Sequence, residues 1–238
     1  MRKMYLSAPL PFVGQKRMLA KEFMKVLEQY PDGTLFVDLF GGSGLLSHIT
    51  KSLKPHSTVI YNDFDNYRFR MKHIPQTNQL LADIREMVGN SVPRHKIIKG
   101  ELRERIFSRI EQEENSTGYV DFITLSSSIL FSMKYKLSVQ DMRKEALYNN
   151  IRKTGYPECT DYLEGLEIVS CDYKEVFNRY KDIPGVVFLV DPPYLSTDVG
   201  TYNMYWNMAD YLDVLNVLKG HSYVYFTSNK SSILELCE

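Results

Sequence analysis

The stretch Val186-Val187-Phe188-Leu189-Val190-Asp191-Pro192-Pro193-Tyr194 constrains the fold more than any other part of the chain. Its five apolar residues, rich in β-branched side chains and bounded by Pro184-Gly185 and Pro192-Pro193, read as a strand buried on both faces. Such strands belong to open α/β sheets, whose ligands bind in the crevice at the carboxyl ends of the strands. Asp191 and Tyr194 emerge at that end. Each proline fixes its φ and lacks an N–H, so the corner is stiff. The Asp191 carboxylate and the Pro192 carbonyl then form a fixed pair of acceptors beside a flat ring. Such a corner suits a planar group bearing an NH2, with Tyr194 stacked on its face.

A second strand–turn unit lies near the N-terminus. Residues 34–40 read as a strand that runs into Gly41-Gly42-Ser43-Gly44 and a helix from about Leu45. Glycines there permit close backbone approach, and the helix N-terminus offers N–H groups to a nucleotide-type cofactor. The pattern is neither GxGxxG nor a P-loop, and Asp38 would repel a pyrophosphate. A cofactor with an ammonium group and no phosphate fits better, which points to S-adenosyl-L-methionine. Thr58–Tyr61 reads as the next strand. Asp63 follows Asp38 by 25 residues, about where an acidic side chain accepts from ribose hydroxyls.

Further strands are expected over 166–170 and 221–226, with helices over about 18–30, 174–180 and 208–218. Alternating strands and helices predict an α/β fold, a doubly wound, mostly parallel Rossmann-like sheet with a mainly helical insert. The insert spans 66–156 and the catalytic domain takes 1–65 and 157–238. Within the insert, helices are expected over 76–88, 101–114, 121–133 and 138–147, the last opened by a Ser138-x-x-Asp141 capping box, and no strong strand pattern is evident.

Charge adds one point. The whole chain is neutral, but residues 1–65 carry +2, the insert +6 and residues 157–238 −8. A basic block in a neutral chain suits a phosphate-facing surface. Lys134, Lys136, Arg143, Lys144, Arg152 and Lys153, among tyrosines and Asn149-Asn150, are its candidate DNA-binding residues. Three cysteines without CxxC spacing fit a cytoplasmic chain, and no metal is expected from five histidines without HxxxH or HExxH spacing. No apolar run approaches the ~20 residues of a membrane span.

These motifs, in this order, resemble the Dam-type DNA adenine-N6 methyltransferases. Phe12-Val13-Gly14-Gln15-Lys16-Arg17 is similar to that family's Trp-x-Gly-Gly-Lys loop, with Phe for Trp and Gln for the second Gly. Asp38-Leu39-Phe40-Gly41-Gly42-Ser43-Gly44 resembles its first cofactor motif. Asp63-Phe64-Asp65, Asp172-Tyr173 and Ser228-Asn229 resemble its other short motifs, and Asp191-Pro192-Pro193-Tyr194 is its catalytic tetrapeptide unchanged. The resemblance covers about 8–65 and 167–230. It implies methyl transfer from S-adenosyl-L-methionine to N6 of a flipped-out adenine in double-stranded DNA. The implied catalytic residues are Asp191, Pro192 and Tyr194. The implied cofactor residues are Phe12, Lys16, Asp38, Phe40, Gly42, Gly44, Asp63, Asp172 and Asp191, with Asp63 on the ribose and Asp172 on the adenine. A restriction endonuclease partner is left open. The chain ends at Glu238, soon after the fifth strand, so an abbreviated or truncated sheet is expected. The same acceptors would also serve an amino methyltransferase acting on RNA, cytosine N4 or protein glutamine, and a non-catalytic cofactor- or DNA-binding module would keep the same fold.

Overall fold

The computed structural model describes residues 3–131, 134–193 and 208–227. Tyr194, the loop 195–207 with Trp206, and Ser228-Asn229 lie outside the described residues. In chain order, a 3-10 turn (Lys16–Met18) leads into α1 (Ala20–Glu28), β1 (Phe36–Asp38), α2 (Leu45–Leu53) and β2 (Val59–Asn62). Then come α3 (Tyr67–Lys72), α4 (Ile74–Val88), β3 (Ile97–Ile98), α5 (Gly100–Thr117), α6 (Phe122–Ile129), α7 (Val139–Arg143) and β4 (Leu147–Tyr148). The chain continues through β5 (Glu167–Val169), α8 (Tyr173–Tyr180), β6 (Val187–Val190), α9 (Met208–Leu218) and β7 (Ser222–Tyr225).

Two compact units result: Met1–Ala8, Phe12–Arg68 and Cys159–Glu238 form one, and Pro9–Pro11 with Phe69–Glu158 form the other. Among the described residues, the first holds a five-stranded sheet of order β5-β2-β1-β6-β7, with every neighbouring pair parallel. The expected α/β sheet is therefore present. The apolar run before Asp191 is continuous because β6 is covered on both faces. Val187 and Leu189 join the cluster of Phe23, Leu27 and Ile49 from α1 and α2. Val186, Phe188 and Val190 join Val176, Phe177, Val214 and Leu218 from α8 and α9. Period-two alternation thus feeds two cores from one strand, each fully buried Leu, Val or Phe contributing roughly 1.5–3 kcal/mol.

The order reverses between β1 and β6: the chain builds β2 and β5 on one side of β1, and β6 and β7 on the other. Such a switch point leaves a crevice at the carboxyl ends of the two central strands. The register Asp38↔Leu189 sets the β1 terminus and the Asp191 corner beside each other.

The second unit is mainly helical, and it corrects several expectations. β3 and β4 pair antiparallel as Ile97↔Tyr148 and Ile98↔Leu147, a ladder too short to show an alternating pattern in sequence. The helix expected over 121–133 stops at Ile129; Asp121 is its cap and accepts from the Thr124 N–H. Ser138 does cap α7, accepting from the Asp141 N–H, but that helix ends at Arg143 rather than near Leu147 because the chain turns into β4. In the first unit, the helix expected over 18–30 is shortened likewise, to Ala20–Glu28 after the 3-10 turn. One buried ion pair anchors the second unit: Arg70 Nε lies 3.2 Å from both oxygens of Asp121, and its Nη2 donates to the Pro11 carbonyl.

Candidate active site

Two tight segments meet at the carboxyl ends of β1 and β6. After β1 the chain turns through Gly41–Gly44, closed by Gly44 N–H donating to the Gly41 carbonyl at 2.7 Å. Gly42 and Gly44 take φ of 48° and 71°, left-handed values that favour glycine. A Cβ on Gly41 would meet the Tyr61 ring at 2.3 Å, so no side chain is admissible there without displacing that ring. After β6 the chain leaves through Asp191, Pro192 and Pro193, and the Tyr211 hydroxyl of α9 donates to the Pro193 carbonyl. The N-terminal loop 12–16 completes the rim.

These three segments line one open cleft of about 560 Å³, bordered by Phe12, Gly14–Lys16, Phe40–Ser43, Asp65 and Asp191–Pro193, among others. Of the residues singled out in the sequence, Phe12, Lys16, Phe40, Gly42, Asp191 and Pro192 border it. Tyr194 falls outside the described residues.

The carboxylates divide sharply. Asp191 is mostly buried, and burial pushes its carboxyl up to about 6, with the Lys16 ammonium acting against the rise. Lys16 Nζ lies 2.6 Å from Asp191 Oδ1 and also donates to the Gly14 carbonyl at 2.8 Å. Asp38 is fully buried behind the glycine turn. Burial drives its carboxyl up to about 7; the Ser47 hydroxyl, donating to Oδ2 at 2.7 Å, opposes the shift, and the nearby Asp191 charge adds to it. Its Oδ1 meets no hydrogen-bond partner among the described residues. An unpaired buried oxygen costs roughly 1–3 kcal/mol, so this one is a candidate acceptor for a ligand donor.

Asp63, Asp172 and Gly44 do not border the cleft. Asp63 is occupied by its own chain: Oδ1 accepts from Tyr67 N–H and the Tyr61 hydroxyl, Oδ2 from Arg68 N–H. It serves there as the cap of α3, while Asp65, two residues on, borders the cleft. Asp172 caps α8 by accepting from Lys174 N–H. Residues that sequence reasoning passed over are Ser47, Tyr61, Asn62 and Asp65. Ser47 sits one helical turn from the glycine turn, which is the only signal it gave. Asn62 gave none; its amide donates to the Leu39 and Cys171 carbonyls and its oxygen accepts from Cys171 N–H.

Most cations singled out in the insert are paired. Lys134 and Lys136 meet Glu145, Arg143 meets Glu104 and Glu111, and Lys144 meets Asp141. Arg152 lies over the Tyr156 ring, its guanidinium carbon 4.1 Å from the ring centre. Lys153 is exposed.

A parallel sheet with a glycine turn and an Asp-Pro-Pro corner on one cleft defines a class of α/β methyltransferase, and comparison with known proteins agrees. The model of the D12 class N6 adenine-specific DNA methyltransferases matches residues 12–223, and the chain belongs to that family. A protein of Haemophilus influenzae, described provisionally as a methyltransferase, is 38% identical over 239 residues, covering 98% of this chain and 79% of the relative.

Proposed function

We propose that the chain transfers a methyl group from S-adenosylmethionine to N6 of an adenine flipped out of double-stranded DNA. The carrying observation is the shared cleft: a glycine turn suited to a cofactor and a rigid pair of acceptors suited to an NH2 border a single opening. The chain's own groups fit the cofactor. Asp38 Oδ1 is a buried acceptor without a partner, suited to an ammonium, and Lys16 suits a carboxylate. Gly42 leaves room beside Phe12, whose ring a Cβ there would meet at 3.0 Å. Bound there, S-adenosylmethionine supplies an electrophilic methyl on a sulfonium.

The N6 lone pair of adenine is delocalised into its ring, which makes that nitrogen a weak nucleophile. The Asp191 carboxylate and the Pro192 carbonyl each accept one N6 hydrogen. Together they favour a pyramidal nitrogen and stabilise the positive charge that develops on it. The two prolines keep these acceptors from relaxing, so alignment supplies a further part of the rate. Lys16 has to turn away from Asp191 before the base enters, because its ammonium competes for Oδ1 and opposes the developing charge. Tyr194 would stack on the extruded base.

For the duplex itself, the ion pairs argue against Lys134, Lys136, Arg143 and Lys144 as phosphate contacts. Exposed Arg94, Lys96 and Lys99 occupy a stretch, 91–100, that holds no acidic residue. Tyr148 pairs across the ladder with Ile97 in that stretch, and the Phe131 and Tyr148 rings lie 5.7 Å apart. We assign the phosphate contacts to this stretch, together with Lys153. The test is to incubate the chain with tritiated S-adenosylmethionine and duplex DNA, RNA or protein, then digest and identify the labelled product. N6-methyladenine in DNA is expected. Label only in N4-methylcytosine, RNA or glutamine would transfer the same acceptors to another substrate, and no label in any would leave a binding module.

A further inference from the structure

Two buried tyrosines hold the glycine turn from behind. The Tyr61 hydroxyl lies 2.8 Å from the Gly42 carbonyl and 3.0 Å from Asp63 Oδ1, so its single hydrogen is shared between the turn after β1 and the acid after β2. The Tyr162 hydroxyl donates to the next carbonyl, that of Ser43, at 3.1 Å. Both rings are fully buried. The Tyr61 ring also fills the space where Gly41 would carry a Cβ, and it would lie 3.3 Å from one on Gly44.

A peptide group whose carbonyl is held inward presents its opposite, N–H edge outward, and every such donor has to find a partner or water. Carbonyls 42 and 43 are tied to hydroxyls on the inner side and Gly44 N–H is spent on the Gly41 carbonyl, so the turn is fixed and the Ser43 N–H of the Gly42 peptide is the donor set toward the cleft, which Ser43 borders. Neither hydroxyl is required for packing: phenylalanine fills the same volume.

We propose that Tyr61, with Tyr162 beside it, is a positioning residue for cofactor binding that acts through the Gly42 and Ser43 peptides without touching the ligand. This rests on the cofactor reading of the cleft. Removing the Tyr61 oxygen frees the Gly42 peptide to rotate, so the cleft must be ordered anew each time a ligand enters. That penalty falls on binding and not on the methyl-transfer step, which the Asp191 corner performs.

Tyr61→Phe and Tyr162→Phe in the full chain separate the possibilities, with S-adenosylhomocysteine as the calorimetric probe. We expect Kd for the probe and KM for S-adenosylmethionine to rise about tenfold in Tyr61→Phe and by less in Tyr162→Phe, with kcat within twofold of wild type. A fall in thermal midpoint with Kd and KM unchanged would overturn the proposal, since it would leave the hydroxyls a purely structural task. A fall in kcat at unchanged KM would overturn it too. Should Tyr61→Phe fail to fold, Tyr162→Phe decides the matter through the neighbouring carbonyl, by the same readouts. Failure of wild type to bind the probe at all would remove the cofactor reading, and this inference with it. That outcome is distinct from binding that the variants leave unaltered.

Discussion

Carboxylates in the two units are displaced in opposite directions. At the sheet ends, Asp38, Asp63 and Asp191 are all pushed up, and in each the first cause is burial. In the helical unit, Glu104, Asp141 and Glu145 are all held down, and in each the first cause is a hydrogen bond from an arginine or lysine. In the first group burial resists the charge and the chain's own donors offset only part of that cost: Ser47 at Asp38, Lys16 at Asp191, and the Tyr67 and Arg68 N–H groups at Asp63. The second group is an ordinary surface network, in which a pair contributes little. Direction of displacement, more than number of charges, separates the sheet ends of this protein from its solvated flank.

The contrast can be broken at several points. Asp191→Ala should reduce methyl transfer by about a thousandfold or more while S-adenosylhomocysteine binding stays nearly intact, as expected when a transition-state acceptor is lost. Near-wild-type turnover would remove Asp191 from the chemistry. Arg70→Met should destabilise the helical unit by about 3–5 kcal/mol, because it strands the Asp121 charge inside. Denaturant unfolding measures this, and a loss under about 1 kcal/mol would make Asp121 as solvated as the surface carboxylates.

A third test uses pH. The Asp38 carboxyl, at about 7, is protonated in mildly acidic solution, whereas pairing with a ligand ammonium needs the carboxylate. Affinity for S-adenosylhomocysteine should therefore rise from about pH 5.5 to 7.5, at most about tenfold per unit, with proton release visible by calorimetry in buffers of differing ionisation enthalpy. Stability of the free chain runs the other way. A folded value above the unfolded one stabilises fully below about pH 4, and that contribution is lost as pH climbs through about 7. Asp38→Asn should flatten most of both slopes; unchanged slopes would place the titration elsewhere. The smallest effect concerns the surface network. Glu145→Gln should cost about 1 kcal/mol or less, and less still in high salt. Neutralising Arg94, Lys96, Lys99 and Lys153 should lower the salt dependence of DNA binding, whereas neutralising Arg143 and Lys144 should not. The reverse result would return the phosphate contacts to the paired cluster.

Legibility in the sequence follows from how local each feature is. The strand before Asp191 and the turn after β1 were readable because composition and glycine placement are fixed by burial and backbone geometry within a few residues. Asp63 was legible only in part: an acid after a strand has two uses, ribose acceptor and helix cap, and its bonds from the Tyr67 and Arg68 N–H groups show the second, which depends on the turn that follows. In the basic insert, too, the partners of the cations were not legible. Arg143 is paired with Glu104 and Glu111, more than thirty residues back, and no local pattern announces such partners. Asn62 was silent because its partners, Leu39 and Cys171, come together only through strand order.

That strand order has a bearing on how such a protein diversifies. The long helical excursion departs beyond β2 and returns ahead of β5, on the outer flank, while the cleft straddles the central seam between β1 and β6. A segment spliced into a flank can be exchanged wholesale, or grafted from a cousin, without moving a single rung of the seam. The excursion can therefore change while the seam stays put.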